Sequence, residues 1–110
     1  MEEFETVERD DLAVISMNVI LHAGNAREMI FEAAQKASEG EFDEAEELMK
    51  QANAELVEAH HAQTATLQKE AEGIIVPYSS LFGHAQDHLM TVSSERHLVK
   101  EIIRLYKRIG

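Results

Sequence analysis

The sequence predicts an all-α fold, three long antiparallel helices in an up-down-up bundle, and three observations carry that prediction. Apolar residues recur at steps of three and four over most of the chain. Two breaks, one at Gly40 and one at Gly73 to Pro77, divide it into three runs of similar length. Strand signals are absent, since β-branched residues never alternate with polar ones and no turn dipeptide joins two such runs. With 110 residues, positions 1–110 read as a single domain, large enough for one core and small enough that self-association would help it bury apolar surface.

Composition excludes several classes of function. The chain carries 21 acidic against 10 basic residues, a formal net charge of −11. No nucleic-acid partner is expected, because phosphate backbones need the opposite sign. There are no cysteines, which rules out disulfides and thiolate-zinc sites. The start, Met1-Glu2-Glu3-Phe4-Glu5, is acidic where a signal peptide would be basic, and no apolar run approaches the ~20 residues that span a bilayer. A cytoplasmic protein without direct membrane insertion is therefore expected.

Taken in order, residues 1–10 are acidic and aperiodic and read as a flexible N-terminus. After Asp10 and Asp11, which can cap a helix start, Leu12, Ile15, Val19, Ala23, Ala26, Ile30, Ala33 and Ala37 form one apolar stripe ending at Ser38. Gly24 lies inside this helix at a cost of about 1 kcal/mol relative to alanine, which suggests close approach of a neighbour. Gly40 stops it, and Asp43 followed by Glu46 resembles a capping box opening the second helix. Ala45, Met49, Ala52, Leu56 and Ala59 make a heptad-like seam that meets polar Gln63 and Thr66 before Leu67. A glutamine placed there could orient a histidine opposite it.

The stretch Glu72 to Pro77 is a loop, its proline suited to the first turn of a third helix expected from about Tyr78 to Ile109. That helix ends with Arg96, Lys100, Arg104, Lys107 and Arg108, cations that suit the C-terminal pole of a helix dipole. Each helix of roughly 30 residues would be about 45 Å long. Gly40-Glu41-Phe42-Asp43-Glu44-Ala45 resembles the start of a tetratricopeptide pair, but no second copy follows at the ~34-residue period.

Chemistry concentrates between Phe82 and Thr91. On a helix His84, Asp87 and His88 stand at i, i+3 and i+4 and share one face, with Thr91 one turn on, while Phe82, Ala85, Leu89 and Val92 form a core stripe opposite. The spacing alone leaves His84 open as nucleophile, general base or metal ligand. His84 and His88 are two ligands where zinc needs three or four, and adjacent His60 and His61 diverge by about 100°, so at most one could join them. No nucleophile elbow, phosphate loop or cofactor fingerprint is present. A histidine that accepts a group from one protein and gives it to another needs none of these.

The run His84-Ala85-Gln86-Asp87-His88-Leu89-Met90-Thr91 resembles the signature of the lactose/cellobiose-type enzyme IIA proteins of the bacterial sugar phosphotransferase system, whose chitobiose and cellobiose branch carries H-A-Q-D-H-L-M-T. Ala23-Gly24-Asn25-Ala26-Arg27 resembles that family's A/S-G-x-A-R, and Gly40-Glu41-Phe42 its G-D-F turn. Glu58-Ala59-His60 with Gln63-Thr64 resembles E-A-H-x-x-Q-T, and Leu105-Tyr106-Lys107 the terminal L-Y-K. The resemblance implies a homotrimer of three-helix subunits, a helical bundle resembling a coiled coil. It implies that His84 is the nucleophile phosphorylated by the phosphocarrier HPr, which then passes the group to a cysteine of a cognate IIB component for uptake of a β-linked disaccharide. It places Asp87 on the trimer axis, where three copies hold a divalent cation, Mg2+, and it gives His88 and Gln86 orienting or lining roles. Two other classes fit a histidine on a helical bundle: a histidine phosphotransfer domain of two-component signalling and a non-catalytic interaction module. The former typically has H-x-x-K-G/S, whereas the third residue after His84 is acidic Asp87; the latter would tolerate replacement of His84.

Overall fold

The computed structural model describes residues 5–110, which form three helices of 30 residues each: α1 (Arg9–Ser38), α2 (Phe42–Ala71) and α3 (Ser80–Ile109). Cross-contacts set their directions. Arg9 reaches the Tyr78 carbonyl and Arg27 reaches Glu95, separations of 69 and 68 residues, so α1 and α3 run parallel in constant register. His60 meets Ser93 and Glu46 meets Lys107, separations of 33 and 61 that grow away from the connecting loop, so α2 runs antiparallel to α3. The up-down-up order follows.

Helix ends depart from the expected caps in physically simple ways. α1 begins at Arg9, and Asp10 and Asp11 lie in its first turn, where they favour the positive dipole pole instead of capping it. The Asp43–Glu46 capping box does not form: Glu41 is the N-cap of α2 and makes no side-chain cap bond, while Asp43 and Glu44 occupy the first turn. Gly40 (φ +82°) and Gly73 (φ +93°) take the left-handed conformation that closes α1 and α2, with the Glu41 N–H donating to the Lys36 carbonyl at 2.9 Å. Pro77 precedes α3 instead of joining its first turn, because Ser79 supplies the cap, its Oγ accepting from the Phe82 N–H at 3.0 Å.

The expected loose end, residues 1–10, is corrected for residues 5–10, and residues 1–4 lie outside the described part. The Val7 N–H donates to the Ile75 carbonyl and the Ile75 N–H to the Glu5 carbonyl, both at 2.8 Å, in a parallel bridge between Thr6 and Ile75. Backbone groups of the α2–α3 connection thereby gain partners that a loop leaves unpaired. Val7, Leu12 and Phe82 form a small apolar cluster beneath this bridge, with Ile15, Ile74 and Val76 packed against it. That cluster anchors the start of α3.

The main core runs along the predicted stripes, joining Val19, Ala23, Ala26 and Ile30 of α1 with Ala52, Leu56 and Ala59 of α2 and Ala85, Leu89 and Val92 of α3. Alanine dominates the α1–α2 seam, which lets those helices pack closely, and α1 touches both partners far more than α2 and α3 touch each other. No neighbour within the subunit explains Gly24, around which a methyl group would meet nothing within 4 Å. Leu67 is exposed, whereas Thr66 is buried and returns its hydroxyl to the Ala62 carbonyl at 3.2 Å. Among the described residues no helix is long and apolar enough to cross a membrane.

Candidate functional site

The site lies one turn into α3. Ser79 starts the helix, Phe82 locks it onto the Val7–Leu12 cluster, and His84 follows two residues later with its side chain exposed. α1 and α2 carry Asp10, Asp11, Asp43 and Glu44 in their first turns, but α3 has no acidic residue there. The positive pole of the α3 dipole is thus uncompensated within one turn of His84, which favours an anion nearby.

Helical spacing brings the two histidines together as expected. The His84 and His88 rings stack with centroids 6.2 Å apart and planes 13° from parallel. Burial lowers the His88 pKa from the ordinary histidine value, and the positive charge of Arg27 and the proximity of His84 push it further down, against a smaller opposing pull from Glu95. His88 is therefore mainly neutral near pH 7, able to accept or donate a hydrogen bond without adding charge beside His84.

Two members of this environment were missed at the sequence level. Arg27 of α1 donates through Nε to the Glu95 carboxylate at 2.9 Å, an ion pair that ties α1 to α3 beside His88. Glu95 lies eleven residues beyond His84 and seven beyond His88, so the helical period returns it to the histidine face, one turn past Thr91 where the expected face ends. Arg27 was visible only as the last residue of the A/S-G-x-A-R resemblance.

The other candidates separate. His60 does not join the histidine pair; its Nε2 meets the Ser93 hydroxyl at 3.2 Å on the α2 side of α3, whereas Arg27 and Glu95 place His88 on the α1 side. Gln63 does not orient a histidine, and its side-chain oxygen is buried without a hydrogen-bond partner. Gln86 is half-buried. Asp87 is exposed and forms no ion pair among the described residues. At about 100° per residue, Leu98, Leu105 and Ile109 lie within about 40° of Asp87 around α3, and they are 64%, 59% and 82% exposed. Asp87 therefore opens an unpartnered apolar face. Among the described residues, no group of three or more His, Asp or Glu side chains in the subunit could hold a metal ion. A cation on Asp87 would need carboxylates from further copies.

A neutral imidazole can attack an electrophilic phosphorus and later release it, and an exposed one can do so between two protein surfaces. Comparison with known proteins points the same way. Residues 14–107 match the family model described as the lactose/cellobiose-specific IIA subunit of the phosphotransferase system. The lactose-specific EIIA component of Staphylococcus epidermidis is 41% identical over 100 residues, covering 91% of this chain and 96% of that protein. The crystal structure of the cellobiose-specific enzyme IIA from Bacillus anthracis superposes with a TM-score of 0.83 at 44% identity, over 86% of this chain and 87% of the other. The IIA(chitobiose) chain solved in complex with HPr from Escherichia coli gives 0.76 at 34% identity, over 94% and 98%.

Proposed function

Since this chain belongs to the lactose/cellobiose-specific IIA family of the phosphotransferase system, we propose that it is a phosphohistidine carrier and that His84 is the residue that carries the phosphoryl group. The observation behind this assignment is the exposed His84 ring, stacked on a His88 held largely neutral, one turn from an uncompensated helix N-terminus. A His84 ring nitrogen attacks the phosphorus of phospho-HPr. A nitrogen–phosphorus bond forms as the bond to the donor carrier breaks, its electron pair staying with the donor. A cysteine thiolate of the cognate IIB component then attacks the same phosphorus and His84 leaves as imidazole. His88 orients the ring and Gln86 lines the site. The destination is uptake of a β-linked disaccharide of the cellobiose, chitobiose or lactose type, with the carrier working on the cytoplasmic side.

HPr is the expected donor because a similar IIA chain has been solved in complex with it. The homotrimer is supported by the exposed apolar face of α3, which a lone subunit leaves in water at a cost of roughly 25 cal/mol per Å². Three copies of Asp87 on a trimer axis would repel one another, and a divalent cation, Mg2+, would offset that repulsion if the three carboxylates held it. The acidic residue three places after His84 disfavours two-component phosphotransfer, and a non-catalytic module would leave the histidine pair and its Arg27–Glu95 buttress without a purpose.

Incubation with phosphoenolpyruvate, enzyme I and HPr should add one acid-labile phosphoryl group, located on His84 by mass spectrometry. A protein that remains unmodified while HPr itself is phosphorylated would overturn the assignment.

A further inference from the structure

Half of the ten basic residues of this acidic chain gather in one place. Lys50 of α2 and Arg96, Lys100, Arg104 and Lys107 of α3 line a cavity of about 310 Å³ between the two helices, opposite the site in sequence and along the bundle. Met49 and buried Ile103 also line it, and Glu46 is its only carboxylate. Dipole complementarity accounts for Lys107 and Arg108 in the last turn, but Arg96 stands more than three turns before the end of α3.

Arg96, Lys100 and Arg104 succeed one another at four-residue steps, and like charges so spaced repel on a helix. Lys107 is paired with Glu46 and Arg104 with Glu101. Lys50, Arg96 and Lys100 pair with no carboxylate among the described residues, although the chain has 21 acidic side chains with which to neutralise them. A surface tuned for solubility alone would intersperse the two signs.

We propose that this groove binds a phosphate-bearing small molecule, the cations taking the phosphate and Met49 and Ile103 packing against the carbon skeleton. Arginine offers a planar fork that matches phosphate oxygens, lysine a point charge that complements it. The volume is that of a small metabolite site, at the lower end of the usual ~300–1,000 Å³. Arg96 is twelve residues from His84, about 18 Å along the helix, and the groove opens on the α2 side, away from Arg27 and Glu95. Binding there is independent of phosphoryl transfer at His84.

The test titrates the 110-residue chain with glucose 6-phosphate, inorganic phosphate, glucose and polyglutamate at constant ionic strength, read by calorimetry and by amide chemical shifts. Saturable binding of glucose 6-phosphate is expected, with shifts centred on Lys50, Arg96, Lys100 and Ile103. Inorganic phosphate should bind the same residues more weakly, and glucose should not bind. The double variant Arg96→Gln/Lys100→Gln should weaken binding at least tenfold, Lys50→Gln on the other wall should weaken it separately, and His84→Gln should leave it unchanged. Non-saturating shifts, unchanged affinity in the variants that remain helical, or shifts centred on His84 would overturn the proposal. Saturable binding of polyglutamate without that of glucose 6-phosphate would overturn it too, making the groove a surface for an acidic protein.

Discussion

His84 and His88 stack nearly parallel across one turn of α3, 6.2 Å between ring centres. A proton on His84 would place a positive charge beside His88, which discourages protonation of His88. Burial, the largest influence, and Arg27 act on His88 in the same direction.

His88 should consequently titrate below the ordinary histidine value of about 6.5, as read from its ring proton shifts against pH. Arg27→Gln removes one of the lowering influences and should raise the midpoint. The folded state holds His88 below its unfolded value, so the unfolded chain binds more protons just below pH ~6.5 and stability declines as pH falls through that window. In His88→Gln that part of the acid-side decline should vanish. An unchanged midpoint in Arg27→Gln would show that the guanidinium does not act on His88.

His84→Gln should lose phosphoryl acceptance from phospho-HPr altogether, because an amide is no nucleophile. If the neighbouring ring positions but does not attack, His88→Gln should keep the modification on His84 with a slower rate. Rapid-quench labelling with both variants checks the pair. Label that persists in His84→Gln and disappears in His88→Gln would transfer the nucleophile's role to His88.

Leu12→Ala should destabilise the fold by about 2–5 kcal/mol in urea unfolding. Leu12 is fully buried and packs in one cluster with Val7 and Phe82, so its truncation removes apolar contacts to both. The loss should also loosen the start of α3, seen as faster amide exchange at Gly83 and His84. A variant equally stable and equally protected would mean that the small cluster does not anchor the site.

Light scattering should report a trimer, and chelation of divalent cations should lower its melting temperature, because an ion bound only by the assembly stabilises it by mass action. If three Asp87 carboxylates meet on the trimer axis, Asp87→Leu removes their charges and should remain trimeric while losing its response to chelator. Asp87→Asn replaces the carboxylates by polar amides and should lose that response as well. If the wild type and both variants melt alike with and without chelator, Asp87 is not an axial ligand.

Much of the fold was legible because a helix repeats its geometry every few residues. The stripes from Leu12 to Ala37, from Ala45 to Ala59 and through Phe82, Ala85, Leu89 and Val92 are the buried faces of α1, α2 and α3. Helix ends were less legible because several carboxylates compete for the first turns of α1 and α2. Asp10, Asp11 and Asp43 proved to be first-turn acids, and only Ser79 caps with its side chain.

Local spacing by itself determined that His84 and His88 share a face of α3, since four residues return a helix to nearly the same azimuth. It also determined three helices and their lengths, because the breaks at Gly40 and Gly73 require backbone conformations that only glycine adopts without strain. What sits beside the histidine pair was decided by the tertiary structure: Arg27 and Glu95 are 68 residues apart and meet only because α1 and α3 run parallel in register. The same holds for the pairing of Val7 with Ile75 and the meeting of Lys50 with Arg96 across the α2–α3 groove. Contacts between elements depend on how whole helices are placed against one another, and no periodicity within a single helix encodes that placement.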